Sequence, residues 1–114
     1  MTLNELLAII DTQADKLEFS EVIGLIETEY DFTPVGFRNG DLVNQAGENS
    51  GSCKIFAFAQ LHGFTQSQTL QCFGDYYRVD VLQHPASDNH SNIRQFMKTG
   101  WAGIQFENPP LTRK

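Results

Sequence analysis

Residues 44–59, NQAGENSGSCKIFAFA, pass without a break from a polar, glycine-containing stretch into an apolar run. The first part, Asn44 to Ser52, reads as an ordered loop, too short to link two domains. The second part, 53–59, shows no strict alternation of apolar and polar residues. Ala57 and Ala59 favour helix over strand there, so the run reads as a buried helix with Ser52 as its cap and Gly63 as its close.

Toward the N-terminus the periodicity is helical. Thr2 and Glu5 make a capping-box pattern, and Leu3, Leu6, Leu7 and Ile10 fall on one face, which predicts a helix over 3–13. A second helix is expected over 18–30. Phe19, Val22, Ile23, Ile26 and Tyr30 share its stripe, Glu21, Glu27 and Glu29 lie off it, and Gly24 marks close packing against a neighbour. Pro34 ends this periodicity, and Asn39-Gly40 is a turn signal, so 34–38 and 41–44 read as a short hairpin.

Toward the C-terminus, Thr65 and Gln68 repeat the capping-box pattern before Leu70 and Phe73, and Gly74 ends a short helix. Asp75 is placed to cap the next helix, with Tyr76, Val79 and Leu82 on its inner side and His84-Pro85 as its stop. One of the adjacent Tyr76 and Tyr77 should pack while the other exposes its hydroxyl. Residues 86–90 form a polar turn. A last helix over 91–99 turns Ile93, Phe96 and Met97 inward, with Gly100 as a left-handed cap. Residues 101–106 read as a terminal strand, and Pro109-Pro110 ends the ordered structure. Five or six helices with a small sheet of short strands, lacking helical crossovers between each strand pair, predict a single compact α+β domain over 1–114.

Composition agrees with one core. The chain has 114 residues, nine of them Phe, and a formal net charge of -6. No long uncharged apolar run spans a membrane, and the start lacks the basic residue and cleavage site of a secretory signal. Acidity disfavours a nucleic-acid backbone as ligand. Eight acids and one base fall within residues 1–31, which makes one acidic pole.

Two cysteines are too few for a disulfide scaffold, so reduced, partly buried thiols are expected. Cys53 stands at a loop-to-helix junction. Amides of the helix start, the helix dipole and Lys54 all favour a thiolate there. Cys53 is therefore the candidate nucleophile, His90 or His62 the base, and Asn49 or Asn92 a supporting group. The tripeptide Gly51-Ser52-Cys53 resembles the cysteine region of papain-like proteases, but departs from it at Lys54 and Gly47. His84, Asp88 and His90 lack zinc spacing, so no metal and no cofactor are expected. GENSGSCK lacks the full phosphate-loop spacing, although a helix start there is able to hold a small anion. Arg94 is expected to pair with Asp88 or the acidic helices. Arg94, Lys98 and Trp101 also fit a partner-facing edge.

Five separated motifs carry a wider likeness: Phe37–Gly40 (FRNG), Asn44–Lys54 (NQAGENSGSCK), Cys72–Leu82 (CFGDYYRVDVL), His90–Met97 (HSNIRQFM) and Gly100–Ile104 (GWAGI). Together they resemble the HopJ type III effector family from about Leu6 to Phe106. The resemblance implies a bacterial effector-like protein and carries over no catalytic residue. Asn39, Asn44, Glu48, Asn49, Cys53, Lys54, His90, Asn92 and Arg94 are candidates by their chemistry. The leading expectation is a monomeric module that binds a host or bacterial protein through 44–54 and 89–94, with Asn39 and Trp101 beside them. The competing one is a cysteine-dependent hydrolase or deamidase using Cys53. Cytoplasmic residence is expected, with delivery into a host cell by a type III system as the alternative.

Overall fold

Two amphipathic helices open the chain in the computed structural model, which describes residues 1–114. In α1 (Leu3–Gln13) the capping box forms as expected. The Glu5 N–H donates to the Thr2 hydroxyl at 3.2 Å, and the Thr2 N–H donates to the Glu5 carboxylate at 3.0 Å. A 3-10 turn at Ala14–Lys16 leads to α2 (Phe19–Glu29), which buries Val22, Leu25 and Ile26. Gly24 does not mark close packing: a Cβ built there meets nothing within 4 Å. The tight approach lies at Gly74, where a Cβ would stand 2.7 Å from the Phe19 backbone nitrogen and φ is +62°.

The helix ends one residue before the expected limit. Tyr30 turns extended and opens β1 (Tyr30–Phe32). Two strands follow, β2 (Phe37–Asn39) and β3 (Leu42–Asn44), joined by a turn at Gly40-Asp41 in which Gly40 has φ +56°. The predicted hairpin is present, shifted so that Asn39 stays inside the strand. Its side chain is needed there, as described below.

The pivotal helix is α3 (Ser50–Leu61). It begins three residues earlier than the Ser52 cap predicts, because Asn49 takes the left-handed conformation (φ 51°) and turns the loop directly into it. Cys53 and every residue from Ile55 to Ala59 are buried. Phe56 sits at the centre of an aromatic cluster, its ring 4.9 Å from Phe96, 5.4 Å from Phe73 and 6.3 Å from Phe37. Aromatic pairs at such separations add to the burial term that holds the core. The short α4 (Gln66–Gln71) starts on its Thr65–Gln68 capping box.

The next segment departs from expectation. Tyr76–Val81 is a π-helical stretch, closed by the Leu82 N–H donating to the Tyr77 carbonyl at 2.9 Å. The wider turn rotates the faces, so Val81 is buried while Tyr76, Val79 and Leu82 face solvent. Tyr77 packs on the core and Tyr76 is exposed. Asp75 makes no side-chain cap and instead lies 3.6 Å from Arg78.

α5 (Ser91–Thr99) buries Ile93 and Phe96 but leaves Met97 exposed. After Gly100 (φ +57°) a 3-10 turn at Gly100–Gly103 replaces the first half of the predicted strand, and β4 is only Ile104–Phe106. Pro109-Pro110 does not end the structure. Leu111–Arg113 forms β5, antiparallel to β1 with Phe32 opposite Leu111. β3, β2 and β4 make a second antiparallel sheet in that order. The whole is one α+β domain with a 23-residue buried core. Both cysteines are free and buried. No helix is long and apolar enough to cross a membrane.

Candidate functional site

Four asparagines join the start of α3, the start of α5 and the three-stranded sheet. Asn44 ends β3 and Asn92 is the second residue of α5. Their amides exchange bonds: Asn92 Nδ2 donates to Asn44 Oδ1 at 3.0 Å, and Asn44 Nδ2 donates to Asn92 Oδ1 at 3.2 Å. Asn49 Nδ2 donates to the same Asn44 oxygen at 2.8 Å. Asn39, on β2, donates to the Asn92 backbone carbonyl at 2.8 Å and to its Oδ1 at 3.1 Å. Asn39, Asn44 and Asn92 are buried, and the Asn39 Oδ1 is left without a partner. Buried amides linked in this way fix register and orientation, because breaking one bond strands its neighbour.

The frame holds the two helix starts beside a cleft of about 470 Å³. Asn49, Gly51 and Ser52 line it from the α3 side, and His90, Ser91 and Asn92 from the α5 side. Phe19, Phe73 and Tyr76 supply an apolar wall. Gly51 makes room for that wall, since a Cβ there would stand 2.9 Å from the Phe19 ring. Asn49 and His90 are the two non-glycine residues with positive φ, each in the position just before a helix. Neither helix receives a side-chain cap. First-turn N–H groups have no acceptor within their own helix, and the helix dipole adds partial positive charge at the same end. The cleft is therefore rich in donors and complementary to an acceptor-bearing group.

His90 is fixed by two neighbours. Its Nε2 lies 2.9 Å from Asp80 Oδ2, and its ring lies 5.0 Å from that of Tyr76. The other ring nitrogen, Nδ1, is left out of the aspartate contact.

The expected catalytic residues are not assembled. Cys53 is 1 % exposed in the core. Burial pushes its thiol up to about 11, and the nearby Lys54 charge offsets only part of that. This reverses the predicted thiolate: desolvation outweighs the helix dipole and the lysine. His62 ends α3, far from the cleft, and its Nε2 meets the Tyr30 hydroxyl at 3.0 Å. Burial, then the Arg113 charge, pull its pKa down. Of the five residues, Asn49, His90 and Asn92 line the cleft, while Cys53 and His62 do not.

The expected partner-facing residues also divide. Asn39, Asn44 and Asn92 build the frame rather than offer surface. The Glu48 carboxylate accepts the Gln45 N–H at 2.7 Å and closes the loop on itself. Lys54 turns toward α2, 4.0 Å from Glu27 and 4.9 Å from the centre of the Phe32 ring. Arg94 makes no ion pair with Asp88. Its guanidinium donates to the carbonyls of Asp80, His84, Pro85 and Asn89 and to Asn89 Oδ1, which ties the 84–89 loop to the π-helical stretch. Trp101 donates its indole N–H to the Phe64 carbonyl at 2.9 Å and packs edge-on to Phe96. Sequence reasoning missed Phe19, Tyr76, Asp80 and Ser91. No spacing rule links Phe19 or Tyr76 to the loop at 44–52, and the π-turn hides Tyr76. Ser91, beside His90 in a polar turn before a helix, was the one available signal.

No group of three or more His, Cys, Asp and Glu side chains is arranged to hold a metal ion. Among known proteins, a family model described as HopJ type III effector protein matches residues 3–111. A solved structure described as the unknown function protein VPA0580 is 51% identical, covers 100% of this chain and 95% of its own, and superposes with a TM-score of 0.95. No functionally curated protein matches.

Proposed function

This chain belongs to the HopJ type III effector protein family, and from that premise we propose that it is a protein-interaction module whose partner engages the cleft between the starts of α3 and α5. One observation carries this reading: 44–54 and 89–94, separate in sequence, meet at one cleft through the Asn44–Asn92 pair. The partner contributes an acceptor, a carboxylate or an exposed backbone carbonyl, to the uncapped helix starts, and an apolar group against Phe19 and Tyr76. The bacterial or the host cytoplasm is the proposed place of action. Cysteine-dependent hydrolysis gains no support from this geometry, because the Cys53 thiol is buried and protonated at neutral pH.

The test places a photo-crosslinking amino acid at Ser91, on the cleft, and in a separate variant at Lys16, which is outside its lining. Native lysate is then probed with each. A partner captured at position 91 and not at 16, and lost when Asn49→Ala is added, supports the reading. A partner recovered equally by wild type and by a cleft-filling Ser91→Trp variant overturns it.

A further inference from the structure

The π-helical turn leaves an apolar face without a partner. Val79, Leu82 and Met97 are 37%, 47% and 37% exposed. Leu82 and Met97, with Val81 and Pro85, line a groove of about 430 Å³ on the far side of α5 from the asparagine frame. The only charged residues lining it are Arg94 and Lys98. Neither is among the chain's ion pairs, whose cations are Lys54, Arg78, His90 and Arg113. Arg94 spends its donors on neutral oxygens, so its charge is not neutralised by a carboxylate. In a chain of net charge -6, the lining of this groove carries two cations and no anion over an apolar floor.

We propose that this groove is a second docking surface, for an acidic amphipathic segment of another protein. An aliphatic side chain of that segment fills the space between Leu82 and Met97, and a carboxylate pairs with the free Lys98 ammonium. Arg94 contributes its field rather than its hydrogen bonds. The charge pattern selects the occupant, since a basic segment would meet two like charges at the rim. Aliphatic anchors in a groove with charge-matched rims are a recurring mode of helix recognition.

The probe is a synthetic helical peptide with leucines on one face and glutamates on the other, titrated into the isotopically labelled full chain and followed by amide chemical shifts. A counterpart carries lysines in place of the glutamates. The glutamate peptide is expected to shift amides of 79–82 and 94–98. Lys98→Glu should weaken it by about tenfold and reverse the preference toward the lysine peptide. Leu82→Ser, at an exposed position that leaves the fold intact, should weaken both. Equal binding of the two peptides, or shifts confined to the cleft around Asn49 and Ser91, overturns the proposal. So does association of the wild type with phosphatidylserine vesicles in preference to the peptide, or self-association abolished by Leu82→Ser. The lysate result at Ser91 is independent of all these outcomes.

Discussion

At the scale of single residues, desolvation decides the chemistry of Cys53. A thiol at a helix start beside a lysine has two influences favouring the thiolate. Both lose to desolvation, for the residue is only 1 % exposed. With the usual value of 9.0 raised to about 11, the thiolate fraction at pH 8 falls about 100-fold. Folded protein should therefore react with iodoacetamide at Cys53 at least about 100-fold more slowly than a peptide spanning 50–56, the lost access adding to the lost thiolate. Mass spectrometry of the alkylated peptide checks this, and a rate equal to that of the peptide would contradict the burial. The Ser52 cap expected from the sequence makes the thiol the first helical residue, whereas it stands fourth in α3 with its own N–H donated to the Asn49 carbonyl. Local sequence offers no measure of how deeply Phe56 and its aromatic neighbours would draw the whole helix inward.

At the scale of elements, the two Thr capping boxes were legible, while the Ser52 and Asp75 caps, the stop at Pro109-Pro110 and the long-range pairing were not. Thr2–Glu5 and Thr65–Gln68 act within one turn, so spacing alone reveals them. β1 and β5 are each three residues long and depend on each other across the chain, so neither carries a pattern of its own. The π-turn at 76–81 similarly shifts an apolar stripe that helical spacing places inward. The asparagines were legible as polar candidates but not as a frame, because their partners lie 48 and 53 positions apart. Arg94 shows the same limit. Four of its five oxygen partners belong to the loop at 84–89, and the fifth, the Asp80 carbonyl, to the π-helical stretch before it. Arg94→Met should destabilise the protein by about 2 kcal/mol, since several carbonyls lose a charged donor together. Urea unfolding measures the loss, and faster amide exchange at 84–90 locates it. Arg94→Lys should rescue little, because an ammonium does not span that spread of acceptors.

At the scale of the whole molecule, β1, the end of α3 and β5 meet at His62. Arg113, on β5, donates to the Tyr30 hydroxyl at 3.2 Å, and that hydroxyl lies 3.0 Å from His62 Nε2, which accepts the O–H when the neutral ring carries its hydrogen on Nδ1. Burial and Arg113 lower the His62 pKa from the usual 6.5. The unfolded chain therefore binds the proton more readily than the folded one. Stability from neutral His62 is present above pH 6.5 and declines as pH falls toward the lowered folded value. The thermal midpoint should drop between about pH 7 and pH 5. His62→Gln, which keeps an acceptor without the titration, should flatten that slope, and an unchanged slope would assign the acid sensitivity elsewhere.

The asparagine frame also bears on how the protein ages. An Asn-Gly pair is the dipeptide most open to spontaneous deamidation, in which the glycine nitrogen attacks the asparagine side-chain carbonyl to form a succinimide. Here the Gly40 N–H is donated to the Gly103 carbonyl at 2.9 Å, and the Asn39 amide is anchored on Asn92. The attack needs both contacts released, so chemical decay at Asn39 runs through opening of the sheet. Conversion to aspartate would then place a charge beside Asn92 in the interior, and a molecule that had once opened would close less well thereafter.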